Sequence, residues 1–118
     1  MTGASRVDGS GTWPVVRLRG EIDLSNVEAL YKVAEDAVTN HDAGLVVDLS
    51  GVTFLDSTGL RLVFRLARRL GDRQQNLRLV VPEGARIARV LDFAGVSTVA
   101  EVLRTYDPDA SDERGDRA

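Results

Sequence analysis

Apolar positions along this chain change period several times, and each change marks an element. Val16 and Leu18 alternate with Arg17 and Arg19, the period of two that a half-buried strand requires, over Val15 and on to Ile22. Pro14 has no N–H to give a ladder and suits the start or edge of that strand, with Trp13 beside it covering the sheet end. A weaker strand over Thr2–Val7 precedes the turn residues Asp8-Gly9-Ser10-Gly11. After Gly20-Glu21-Ile22-Asp23 the period lengthens. Val27, Leu30, Tyr31, Ala34 and Val38 recur at helical spacing to about Asn40, and Ser25 with Glu28 reads as a capping box. Leu45-Val46-Val47-Asp48-Leu49 is a near-continuous apolar run, as in a strand covered on both faces. The segment Gly51–Gly59 leads to a second helix from Leu60 to about Gly71, and Leu77–Val81 is a strand stopped by Pro82. A third helix over Ala85–Ala94 points Ile87, Val90, Leu91 and Ala94 inward and ends at Gly95; Val99–Val102 reads as a last strand.

The order β-β-α-β-α-β-α-β predicts one α/β domain. Strand–helix alternation favours parallel pairing through right-handed crossovers, giving a mostly parallel sheet of four to five strands packed with helices. The domain spans residues 1–106. From Asp107 the apolar signal vanishes, and 107–118 reads as a disordered acidic tail.

Composition narrows the chemistry. The absence of cysteine excludes disulfides, thiol nucleophiles and thiolate metal sites. His41 is the only histidine and falls in the loop His41-Asp42-Ala43-Gly44, so no site can use two imidazoles and no catalytic residue or metal ligand set is expected. No apolar run nears the roughly 18–20 residues of a membrane span, and the N-terminus lacks a signal peptide's apolar stretch; the expectation is a soluble cytoplasmic protein. The net charge of −3 resides in the tail, where five acids face two arginines. A neutral body argues against non-specific nucleic-acid binding.

The chemistry concentrates in Asp56-Ser57-Thr58-Gly59, between a strand and a helix. Helix N-termini offer free N–H groups and a positive dipole end. Three readings compete. Ser57 or Thr58 could be an N-cap, with Gly59 easing the turn. The loop could be a nucleophile elbow, but Gly-x-Ser-x-Gly is incomplete at Leu55 and only His41 could serve as base. A phosphate-binding loop would need a Gly-Lys-Ser/Thr ending that is absent. The third reading is a regulatory phosphorylation site, where a phosphate on Ser57 would set a near-dianion beside Asp56 and repel a docked partner.

The second helix adds a stripe. At about 100° per residue, Arg61, Arg65, Arg68 and Arg69 share roughly a third of its circumference, bordered by Leu62 and Leu66, with Leu60, Val63, Phe64, Ala67 and Leu70 on the core side. Asp72 is the only nearby acid on the helix. The stripe is either a solvated face or a partner face with leucines central and arginines on the rim.

Gly20-Glu21-Ile22-Asp23, then Leu45-Val46-Val47-Asp48-Leu49-Ser50-Gly51-Val52, then Phe54-Leu55-Asp56-Ser57-Thr58-Gly59-Leu60 resemble the anti-sigma-factor antagonists of the STAS domain family over roughly residues 12–103. The resemblance implies a mixed sheet whose first strand is antiparallel to the second. It implies a non-enzymatic regulator that, unmodified, binds an anti-sigma factor acting as an ATP-dependent serine kinase and so frees a sigma factor. The phosphorylated serine of the family matches Ser57, with Thr58 as second choice, and a metal-dependent phosphatase reverses the switch. Asp23 matches an acidic residue near the phosphorylated loop. With Arg61, Leu62 and Arg65 added from the stripe on the second helix, the expected partner surface comprises Asp23, Asp56, Ser57, Thr58, Gly59, Arg61, Leu62 and Arg65, on a monomer or a weak dimer without a cofactor. The alternative is a STAS scaffold subunit of a signalling assembly or lipid transporter. The family's closing amphipathic helix has no counterpart in the tail, which would leave one sheet face less covered.

Overall fold

Three strands of this chain bury side chains on both faces, but among the described residues only one face meets helices. The computed structural model describes residues 3–7 and 13–105; the 107–118 tail therefore lies outside the described residues. In chain order the elements are β1 (Gly3–Val7), β2 (Val15–Ile22), α1 (Val27–Ala37), β3 (Gly44–Leu55), α2 (Ser57–Asp72), β4 (Asn76–Val80), α3 (Arg86–Phe93), a 3-10 turn (Val96–Thr98) and β5 (Glu101–Leu103).

The sheet order is β1-β2-β3-β4-β5. β1 runs antiparallel to β2, and the other neighbours are parallel. The α/β class is as the strand–helix alternation predicts, and the antiparallel first pair is as the family resemblance implies. Parallel strands added in sequential order by right-handed crossovers place every crossover helix on the same side. The cores agree. Val16, Leu18, Leu45, Val47, Leu77 and Leu79 pack with Leu30, Leu62, Leu66, Ile87 and Leu91 of the three helices. On the opposite face the buried apolar cluster among the described residues is Val15, Val46 and Val80, with Trp13 and Leu103 against them. Trp13 covers the start of β3: a Cβ on Gly44 would lie 2.5 Å from its ring, and the Arg78 guanidinium sits 3.9 Å from the indole centroid.

β3 is much longer than the apolar run that announced it, because it carries two bulges. Between Arg17 and Arg19 of β2 the pairing on β3 moves from Asp48 to Gly51, and between Gly20 and Glu21 it moves from Val52 to Phe54. Each step inserts one extra β3 residue and flips the face that follows. The helix-side residues are therefore Leu45, Val47 and Leu49, then Val52, then Leu55, all buried in one core. The first bulge is tied by Asp48, whose Oδ1 accepts the Ser50 amide and hydroxyl while Oδ2 accepts Arg17 Nε at 3.1 Å. Gly20 takes φ +86° beside the second bulge, a conformation glycine adopts without strain.

Other expectations need correction. α1 stops at Ala37, because the Asp42 carboxylate takes the Thr39 amide and hydroxyl and turns the chain out of the helix. The Ser25–Glu28 capping box does not form: the N-cap residue is Asn26, with no side-chain cap bond. On α3 only Ile87 and Leu91 are buried, while Val90 and Ala94 are exposed, since a helix of eight residues turns little more than one i, i+4 pair toward the sheet. Gly95 does end it, at φ +79°. On α2 the buried side is Gly59, Leu62, Val63, Leu66 and Leu70, with Leu60, Phe64 and Ala67 only packed at its margin. His41 is an exposed loop residue, as expected.

Candidate functional site: the sheet edge at the start of the second helix

Ile22 and Leu55 are partners in the parallel β2–β3 ladder, so Asp23 and Asp56 leave the sheet next to one another at its C-terminal edge. The bulges set this up by bringing the end of β3 level with the end of β2. Asp56 is then the N-cap of α2. Its Oδ1 accepts the amides of Thr58 at 2.9 Å and Gly59 at 3.0 Å, and its carbonyl accepts the Leu60 amide at 2.9 Å. A carboxylate at this place also suits the positive end of the helix.

The capping role that one of the competing readings gives to Ser57 or Thr58 thus belongs to Asp56. Ser57 is the first residue of α2, exposed, and its hydroxyl makes no hydrogen bond among the described residues. Thr58 is half-buried. Gly59 is buried for a packing reason: a Cβ there would lie 2.8 Å from Leu55 Cγ and 3.3 Å from Ile22 Cγ2. It lets the first turn of α2 sit on the ends of both strands.

Asp23 holds a knotted turn. Its Oδ1 accepts the Ser25 amide at 2.9 Å and the Ser25 hydroxyl at 2.6 Å, while its carbonyl accepts the amides of Asn26 and Val27. Asn26 closes the turn by accepting from the Asp23 amide and donating to the Glu21 carbonyl. The turn pushes Leu24 into solvent, 79% exposed. Leu24, Val27 and Glu28 then face Thr58, Arg61, Leu62 and Arg65 across a groove of about 130 Å³. Leu24 was not among the residues singled out from the sequence. Its signal was there: a large apolar residue inside a polar turn, matched to no period.

The arginine stripe divides. Arg65 Nη1 donates to both oxygens of Glu28 on α1, at 3.1 and 3.0 Å, and its guanidinium lies 3.8 Å from the Tyr31 ring centroid. The Glu28 hydrogen bonds hold the Arg65 pKa above its already high ordinary value. Arg69 Nε pairs with Glu35 Oε2 at 2.9 Å. The acids missing from α2 are therefore supplied by α1. Arg61 and Arg68 are exposed and make no ion pair among the described residues. Leu62 and Leu66, expected at the centre of a partner face, are each 2% exposed and belong to the core. They are buried because α1 packs beside α2 and shifts the helix's inward side toward them.

Among the described residues no group of three or more histidines and acids could hold a metal ion, and no helix is long and apolar enough to cross a membrane.

Residues 5–105 match the family described as Mlab, STAS domain. The chain belongs to the STAS domain family. Within it, this STAS domain is 30% identical over 104 residues to the anti-sigma-F factor antagonist RsfB of Mycobacterium tuberculosis, covering 87% of this chain and 83% of that protein. The crystal structure of an anti-sigma factor antagonist from Mycobacterium paratuberculosis superposes with a TM-score of 0.74 at 27% identity, over 96% of this chain and 93% of that one. The fold is also that of SpoIIAA in its unphosphorylated form, at a TM-score of 0.68 and 21% identity over 98% of both chains. SpoIIAA of Bacillus in its phosphorylated form gives 0.65 at 21% identity, over 94% of this chain and 98% of that one.

Proposed function

We propose that this STAS domain is an anti-sigma factor antagonist switched by phosphorylation of Ser57. Unmodified, it binds an anti-sigma factor that is a serine kinase, and the sigma factor is released. The kinase brings ATP. The Ser57 Oγ–phosphorus bond forms as the γ-phosphoryl leaves ADP, and the hydroxyl proton passes to a base on the kinase. The chain itself acts by binding and needs no cofactor, and a metal-dependent phosphatase restores the unmodified form. Its setting is the cytoplasm and its working form a monomer.

The observation that carries this reading is the division of labour between Asp56 and Ser57. Asp56 caps α2 alone, so the Ser57 hydroxyl has no structural task and stands exposed. A serine that the fold does not use can gain a phosphate without loss of the fold. The surface offered to the partner is Asp23, Leu24, Asp56, Ser57, Thr58 and Arg61. Family membership and the antagonist relatives support the same role.

The test is incubation with the cognate anti-sigma factor and ATP, followed by intact-mass and tryptic mass spectrometry. One phosphate on Ser57, absent from Ser57→Ala, is the expected result, with Ser57→Ala still binding and Ser57→Asp binding more weakly. A phosphate elsewhere refutes the site. A stable assembly that forms identically with every Ser57 variant supports the scaffold role instead.

A further inference from the structure

A phosphate on Ser57 would find the start of α2 already occupied. The Thr58 and Gly59 amides donate to Asp56 Oδ1, and the Leu60 amide donates to the Asp56 carbonyl. Three of the four N–H groups that ordinarily receive an anion at a helix start are thus taken, which leaves the Ser57 amide alone to meet the phosphate. The Asp56 carboxylate adds a like charge beside the modified residue, and Asp23 leaves the sheet next to it. One amide beside a carboxylate cannot balance a dianion, so the phosphate calls for a cation from a side chain.

Ser57, Arg61, Arg65 and Arg69 follow one another at intervals of four, which lines them along one face of α2. Two of the three arginines are engaged on α1, Arg65 with Glu28 and Arg69 with Glu35. Arg61 makes no ion pair among the described residues, and it lies one turn from Ser57. The geometry points to Arg61 as the counter-ion of phosphorylated Ser57, an inference that rests on the phosphorylation proposed above. An arginine at i+4 reaches a phosphate with charge-assisted hydrogen bonds that a serine hydroxyl does not attract.

The consequence is a two-part switch. In the unmodified chain Arg61 is free for an acidic group of the partner. Phosphorylation adds a dianion at the docking surface and withdraws that cation from it. The charged groups around the phosphate are then Asp56 and Asp23 at the sheet edge, Arg61 on α2, and the Glu28–Arg65 pair across the groove.

The experiment installs phosphoserine at position 57 during translation, so no kinase is needed, and follows the phosphorus NMR shift through the second phosphate pKa, near about 6. Wild type is compared with Arg61→Gln, Arg61→Lys and Arg68→Gln. Arg61→Gln should raise that pKa by about 0.3 of a unit, the size of an exposed i, i+4 pairing converted at 1.36 kcal/mol per unit. Arg61→Lys should restore most of the shift. Arg68→Gln, three turns along the helix, should leave it where it is. Equal pKa values in wild type and Arg61→Gln overturn the inference. Because the phosphate is installed without a kinase, a failure of enzymatic phosphorylation would refute the proposed function and leave this result standing.

Discussion

Arg65 on α2 donates to both carboxylate oxygens of Glu28 on α1, 37 residues earlier in the chain, with the Tyr31 ring beneath its guanidinium. The pair ties the two helices that border the exposed serine. It also consumes a charge that would otherwise face a partner, which leaves Arg61 and Arg68 as the exposed cations of α2 without an ion pair among the described residues.

Association with the anti-sigma factor should therefore depend on Arg61 more than on its neighbours. Arg61→Glu should slow association several-fold, and raising salt should slow the wild type in the same way, because steering between exposed charges is screened over about 10 Å. Arg68→Glu, farther from Ser57, should have a smaller effect. Stopped-flow rates at two ionic strengths check this, and equal rates for the two variants would place the docking surface elsewhere.

Asp56→Ala should destabilise the domain by about 1 kcal/mol through loss of the cap on α2, lowering the melting temperature by about 4 °C. Asp56→Asn, which keeps an acceptor oxygen, should lose much less. Ser57→Ala should leave the stability within about 0.5 kcal/mol of wild type, as for a surface substitution without a structural role. Thermal unfolding of the three variants separates the cap from the phosphosite; a Ser57→Ala loss equal to that of Asp56→Ala would contradict it.

Gly59→Ala should destabilise by about 1–3 kcal/mol through overpacking. The new methyl would press on Leu55 and Ile22 at the ends of adjacent strands, and both belong to the buried core. Denaturant unfolding checks the magnitude. In the pair Gly59→Ala with Leu55→Val, part of the loss should be recovered, because the closest contacts are with the Leu55 side chain.

Asp23→Ala should weaken binding to the partner while lowering stability by no more than about 1–1.5 kcal/mol, the net worth of the Ser25 bonds it removes. The loosened turn would also release Leu24 from its position over the groove. Leu24→Ser should weaken binding with no loss of stability, since Leu24 is largely exposed. Calorimetric binding set beside melting curves distinguishes the two effects. Full binding by both variants would remove this turn from the interface.

The element order, the class of sheet and the site motif were legible in the chain because each depends on local rules. Period two over Val15–Ile22 needs only a half-buried strand, and Gly95 ends α3 through its own left-handed backbone. The exposed Ser57 after an acid and before a helix was equally visible in Asp56-Ser57-Thr58-Gly59. Non-local matters were not legible. The end of β3 looked like a loop, because two bulges break the period between Leu49, Val52 and Leu55, and bulges follow from pairing with β2 rather than from β3 itself. The cap on α2 went to Asp56 because its backbone leaves the sheet extended, with φ −96° and ψ −169°, and points its carboxylate back at the first turn. Only the packing of α1 beside α2 decided that Leu62 is core, that Arg65 and Arg69 are paired, and that Arg61 is left exposed beside Ser57. Ion pairs and burial between helices depend on which faces meet, and that is settled when both helices are laid on the same side of one sheet.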